Sequence, residues 1–204
     1  FILHDSMPLN ETGECKSEVA LADARRGVQT IRMMADSLGL DTSKVAVMGI
    51  SAGGHLSASA AIHFIEGDEK ATLPAERFSS RPDLSLPVYP VLIMEDSDSA
   101  HIGSSEALLG KRPWDENMRN RFDLPGQVHA EVPPTFLVHA GDDLGVPVEN
   151  SLRYYRALLV NKVPVDMHIY AQGGHGFGSG RQTDLPVREW LYVALDWMRG
   201  YGFV

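Results

Sequence analysis

The sequence predicts an α/β fold in which a mainly parallel sheet is covered by helices on both faces. Three observations carry this. Apolar runs of strand length alternate with segments of helical period from residue 18 onward. One such run, Lys44-Val45-Ala46-Val47-Met48, passes directly into Gly49-Ile50-Ser51-Ala52-Gly53 and then into a helix start rich in small residues. Two later apolar runs each lead into a polar loop, the first bearing aspartates and the second a histidine between glycines.

Taken in order, Phe1-Ile2-Leu3 reads as the end of a strand. Residues 4–17 are polar, hold Pro8 and Gly13, and read as a loop. Over residues 18–38, Val19, Ala22, Val28, Ile31, Met34 and Leu38 recur near helical spacing, with Ser17 as N-cap and Gly39 as the stop. Asp41-Thr42-Ser43 turns the chain into the strand before Ser51, and the helix after Ser51 is expected to reach Phe64. Residues 66–83, with Pro74 and Pro82, form a surface excursion. Residues 84–93 are expected to be a second central strand, irregular at its ends because of Pro87 and Pro90. Residues 95–134 lack long periodic segments. Short helices are expected near 104–109 and 113–120, in an insertion that makes a cap or one wall of a pocket. Thr135-Phe136-Leu137-Val138-His139 is a buried strand after Pro133-Pro134. Residues 149–160 form a helix with Leu152, Tyr155, Leu158 and Leu159 inward. Residues 165–170 are the last strand. Residues 187–201 close the chain as a helix with Trp190, Ala194 and Trp197 on one side.

At 204 residues and 44% hydrophobic content, the chain suits one domain over 1–204 with a sizeable core. A net charge of −9 argues against nucleic acid and anionic membranes as partners, and ordinary solubility accounts for it. The single cysteine, Cys15, rules out an intramolecular disulfide. No apolar run is long enough to span a bilayer. No His/Cys/carboxylate cluster has zinc-like spacing, and neither a phosphate loop nor a dinucleotide fingerprint occurs, so no metal and no cofactor are expected. The cellular location stays open, with the cytoplasm the default.

Chemistry concentrates on Ser51. A strand, a G-x-S-x-G turn and a helix in succession form a nucleophile elbow, which needs glycines at its flanks and lifts the serine hydroxyl above a helix N-terminus. The alternative is a tight structural turn without chemistry. A serine needs a base, and His175 in Gly173-Gly174-His175-Gly176-Phe177-Gly178 lies on a loop free to bend. The base needs an orienting acid, and Gly141-Asp142-Asp143-Leu144-Gly145 offers two. Asp143 is preferred and Asp142 competes; Glu95, Asp96 and Asp98 form a third option that reads better as a solvated loop. The Ala52 N–H at the helix start is the expected oxyanion donor. The order Ser, Asp, His is that of α/β-hydrolases. His55, His63, His129, His139 and His168 read as packed, hydrogen-bonded residues. His101, in the irregular insertion, is the histidine placed to face a pocket.

With these residues in view, the chain resembles the acetylesterase/acetyl xylan esterase-like branch of α/β-hydrolases. The likeness rests on Val47-Met48-Gly49-Ile50-Ser51-Ala52-Gly53-Gly54-His55-Leu56, Val88-Tyr89-Pro90-Val91, Ala107-Leu108-Leu109-Gly110, Pro133-Pro134-Thr135-Phe136-Leu137-Val138-His139-Ala140, Val146-Pro147-Val148-Glu149-Asn150-Ser151 and the glycine-rich His175 segment. The resemblance implies a serine hydrolase that removes short acyl groups, typically acetyl, from small esters or carbohydrates such as xylan. It implies the triad Ser51, Asp143 and His175, and places His101 near the acyl pocket. Members of that branch carry a glycine-rich oxyanion loop upstream of the point where this sequence starts, so the N-terminal strands and the second oxyanion donor are expected to lie outside it. The strand at 44–48 would then stand at a sheet edge and recruit a second copy, a swapped segment, residues 1–17 or a missing N-terminal segment. Two other readings stay open: a catalytically weak or silent hydrolase-like domain with a binding role, and an arylformamidase or small peptidase.

Overall fold

The computed structural model describes residues 1–3, 17–95 and 97–203. The loop expected before Ser17 and the candidate Asp96 lie outside these. In chain order the elements are α1 (Ser17–Leu38), β1 (Ala46–Ile50), α2 (Ala52–Ile62), β2 (Leu84–Val88), α3 (Ile102–Leu109), α4 (Glu116–Phe122), β3 (Thr135–Ala140), α5 (Glu149–Val160), β4 (Val165–Tyr170) and α6 (Trp190–Gly200). Single 3₁₀ turns occupy Pro74–Arg77, Leu124–Gln127 and Pro186–Glu189.

Among the described residues the four strands are all parallel, in the order β1-β2-β3-β4. Every residue of β2 and β3 is buried, as expected of parallel strands covered on both faces, which is why each reads as an unbroken apolar run. Side chains alternate between two cores. Leu84, Leu86, Val88, Phe136, Val138 and Ala140 pack against Trp190 and Ala194 of α6. Leu137 points the other way, into Ala58 and Ala61 of α2 and Tyr154 and Leu158 of α5. Each leucine, valine or phenylalanine among them contributes about 1.5–3 kcal/mol when fully buried. A third cluster joins Leu21 and Ala24 of α1 to Ala60 and Phe122.

Several sequence expectations shift. The strand before the serine runs Ala46–Ile50 rather than 44–48 and stands at the edge of the sheet among the described residues, with Met48 60% and Ile50 47% exposed. β2 stops at Val88 instead of continuing to Ile93. Tyr89 has φ 34° and turns the chain out of the sheet, although residues 89–93 stay buried. Pro87, with no N–H to give, falls between the Ser85–Thr135 and Val88–Val138 pairs of the β2–β3 ladder. Phe1, Ile2 and Leu3 form no strand and are exposed. α1 buries Leu21, Ala24, Val28 and Ala35, while Met34 and Leu38 are exposed; α5 buries Asn150, Ser151, Tyr154 and Leu158, while Leu159 is exposed.

Candidate active site

The C-terminal ends of the parallel strands carry the candidate residues: Ser51 follows β1, Asp143 follows β3 and His175 follows β4. Openings at this end of a parallel sheet are where α/β folds bind ligands. Ser51 has φ 53° and ψ −117°, a conformation that costs a non-glycine residue about 1–3 kcal/mol. The bend is held by the Ser51 N–H on the Val88 carbonyl at 3.0 Å, and the Ser51 carbonyl accepts from His55 and Val91. Of the flanking glycines, Gly49 is obligatory, because a Cβ there would lie 1.9 Å from the Gly53 carbonyl oxygen. Gly53 itself faces open space. The second close approach is at Gly54, where a Cβ would lie 2.8 Å from the Pro90 Cβ. The tight pair is therefore 49 and 54, not 49 and 53.

Three side chains stand in line. Ser51 Oγ is 2.9 Å from His175 Nε2, and His175 Nδ1 is 2.8 Å from Asp143 Oδ2. A carboxylate can only accept, so Nδ1 carries the hydrogen and the Nε2 lone pair faces the serine hydroxyl, the tautomer required to take its proton. The Asp143 side chain is fully buried and its Oδ1 accepts from the Gly145 and Val146 N–H groups at 2.9 and 2.8 Å. His175 keeps a third of its side chain exposed, at the mouth of the site. Asp142 does something different: its Oδ1 accepts the Gly174 N–H at 2.7 Å and so ties down the backbone beside His175.

The loop carrying His175 has glycines at φ 63°, 83° and 53° at positions 174, 176 and 178, so its backbone needs external anchors. Asp142 is one. The Tyr89 hydroxyl accepts the Gly178 N–H at 3.2 Å, and Trp190 Nε1 donates to the Gly178 carbonyl at 2.9 Å. The Tyr89 ring meets His175 edge-on at 5.2 Å and Phe177 at 4.5 Å. Burial, and behind it the Asp143 charge, raise the Tyr89 hydroxyl's pKa, so it stays protonated. Asn150 has a structural role that no local sequence pattern announced. Its Oδ1 accepts from Leu92 and Ile93 and its Nδ2 donates to Ser99 and Pro147, fastening the segment after β2 to α5.

Ala52 opens α2, where the first N–H groups lack intrahelical partners. Beside it lies a pocket of about 300 Å³, lined mainly by apolar groups that include Ala52, Gly53, Met94, Ala107, Leu108 and Phe122. α3 and α4, from the 95–134 region, form one side of it. His101 is not among the lining residues; it caps α3, its Nδ1 accepting from the Ser104 N–H at 3.1 Å. Four other histidines are packed: His55 Nε2 donates to the Phe122 carbonyl, His63 to Arg121 and His129 to Ile62, and His168 stacks on Phe136. Burial pushes the His55 pKa down to about 4, so that ring is neutral. Glu95 is taken up by Arg153 at 2.6 Å. No group of three His, Cys, Asp or Glu side chains suited to a metal occurs among the described residues. No helix there is long and apolar enough to cross a membrane.

A family model described as the alpha/beta hydrolase fold matches residues 13–179, and the chain belongs to that family. It is 36% identical over 156 residues to endo-1,4-beta-xylanase B of Butyrivibrio fibrisolvens, covering 76% of this chain and 24% of the relative. It is 30% identical over 165 residues to an acetylxylan esterase of Xylanibacter ruminicola, covering 79% of this chain and 32% of the relative. Among solved structures, an acetyl ester-xyloside bifunctional hydrolase from Caldicellulosiruptor lactoaceticus superposes with a TM-score of 0.88 at 38% identity, covering 94% of this chain and 70% of that one. The chain thus spans about a quarter to a third of the length of these curated relatives, and within α/β-hydrolases it is acetyl xylan esterase-like.

Proposed function

We propose that this chain is a serine carboxylesterase acting on short-chain acyl esters, with acetylated carbohydrate such as xylan as its natural substrate class. The observation that carries the reading is the Ser51–His175–Asp143 line, with His175 in the base tautomer and a strained serine at a helix start. Ser51 Oγ attacks the ester carbonyl while His175 Nε2 takes its proton. The oxyanion forms against the Ala52 N–H. His175 returns the proton to the leaving alcohol, and an acyl group stays on Ser51. Water then repeats the sequence with His175 as base, releasing the acid. Asp143 holds the imidazole and stabilises its charged form. The 95–134 region supplies one wall of the acyl pocket beside Ala52. The names of the xylan-related relatives support the substrate class.

Hydrolysis of p-nitrophenyl acetate against the octanoate, with Ser51→Ala as control, tests the reading. Turnover of acetate that disappears in the variant is expected. A folded Ser51→Ala protein that keeps the wild-type rate, or a preference for octanoate, would overturn it.

A further inference from the structure

His139, the penultimate residue of β3, has its side chain completely buried and touches the site from beneath. Its Nε2 is 2.9 Å from the Val146 carbonyl oxygen and 3.4 Å from Asp143 Oδ2. Its Nδ1 is 2.8 Å from Ser151 Oγ, one turn into α5. A carbonyl can only accept, so Nε2 carries the hydrogen and Nδ1 accepts from the Ser151 hydroxyl. The single Nε2–H is given to the Val146 carbonyl, and the Asp143 oxygen that receives His175 lies beside it at 3.4 Å. Burial lowers the pKa of His139, so the ring beside Asp143 is neutral and the 3.4 Å approach is a close polar contact, not an ion pair. The charged groups facing it are Asp143 and, beyond that, His175; α5 presents the neutral Ser151.

We propose that His139 is a positioning residue for the triad acid, an inference that rests on the esterase reading above. An unbroken chain of donors and acceptors then runs from α5 to the nucleophile. Ser151 donates to His139; His139 donates to the Val146 carbonyl; the Val146 N–H donates to Asp143; Asp143 accepts from His175; and His175 accepts from Ser51. The turn that aims Asp143 is held from both sides. The Val146 N–H binds Asp143 Oδ1, and the Val146 carbonyl is held by His139. Without the imidazole, the turn could roll and carry Oδ2 away from His175. An apolar ring would fill the same space but leave the Val146 carbonyl and the Ser151 hydroxyl buried without a partner.

The test compares His139→Phe with His139→Gln, whose amide keeps a neutral N–H near the Nε2 position. His139→Phe should lower kcat for p-nitrophenyl acetate about ten- to a hundredfold with little change in KM, because a misaimed acid acts on the chemical step. His139→Gln should recover most of the loss. Wild-type kcat in His139→Phe, a change confined to KM, or Gln no better than Phe would overturn the proposal. In parallel, ¹⁵N-histidine NMR of the wild-type protein should show His139 neutral with the hydrogen on Nε2 at neutral pH. A charged ring, or a hydrogen on Nδ1, also overturns it. If the wild-type protein hydrolyses no ester while this tautomer is found and Ser151→Ala shifts both the His139 and His175 ring signals, the esterase reading fails and the positioning geometry stands. Ser151→Ala also serves if the Phe variant does not fold: kcat falling about threefold supports the chain, and unchanged kcat with unchanged ring signals refutes it.

Discussion

Asn in place of Asp143 should disable this site, whereas Asn in place of Asp142 should barely touch it. Asp143 Oδ1 receives two backbone N–H groups and Oδ2 receives His175 Nδ1–H, all within 2.8–2.9 Å in a fully buried setting. An amide has one oxygen. The two fixed N–H groups claim it, and the NH₂ is then forced toward His175. Facing a donor, His175 must place its lone pair on Nδ1 and its hydrogen on Nε2, and can no longer take the Ser51 proton. A wrong-tautomer histidine costs a triad about 10⁴ in kcat, equivalent to roughly 5 kcal/mol of barrier. Asp142 offers a single accepted bond, from the Gly174 N–H, and an amide oxygen accepts that bond equally well. Its Asn variant should lose no more than about threefold. Steady-state kcat on p-nitrophenyl acetate, with circular dichroism to certify folding, decides it. Similar losses in the two variants, or a larger one at Asp142, would refute the assignment of the acid.

Gly49→Ala should abolish folding or activity because its Cβ would collide with the Gly53 carbonyl, whereas Gly53→Ala, with open space around it, should melt within a few degrees of wild type. Thermal melts of the two variants compare them directly. His55 has a folded pKa of about 4 against an unfolded value near 6.5, so only the unfolded chain gains a proton between these pH values. Its contribution is present in full above pH ~6.5 and is lost as pH falls toward 4, by on the order of 3 kcal/mol. Urea unfolding at neutral pH and near pH 4.5 should show a weaker acid sensitivity in His55→Gln; equal sensitivity in the two proteins contradicts the burial argument. Among the described residues the β1 edge is unpaired, with Met48 and Ile50 exposed, and the 204-residue chain taken by itself should pair that edge with a second copy. Light scattering should report a species larger than the monomer that Met48→Lys disperses; a wild-type monomer with rapidly exchanging amides at 47–50 contradicts it.

Much of the fold was legible because parallel central strands leave unbroken apolar runs, as in Thr135-Phe136-Leu137-Val138-His139, and because the turn at Ser51 admits so few residues. The sequence set Asp143 and Asp142 side by side but could not show how they divide: one meets the imidazole, the other the backbone beside it. Helix faces were harder. In α1 the periodicity was visible, but which stripe lies downward depends on the neighbour. The contact with Ala60 and Phe122 falls on Leu21 and Ala24 and leaves Ala22 exposed. The end of β2 was misplaced because Tyr89 adopts a positive φ that no local residue preference announces. Its partners, His175 and Phe177, lie more than eighty residues away in sequence. His139 read as a packed polar residue for the same reason: its role lies in pairings with Val146 and Ser151 that the sequence does not display.

The central claim is that Ser51 carries the acyl group between two halves of the reaction. Rapid quenching of the protein with p-nitrophenyl acetate, followed by peptide mass mapping, tests it most directly. One acetyl group on the peptide containing Ser51, absent in Ser51→Ala and accumulating when deacylation is slow, is the expected result. Acetyl on another side chain at the rate of turnover, or an unlabelled protein that still releases p-nitrophenol in an initial burst, would contradict it.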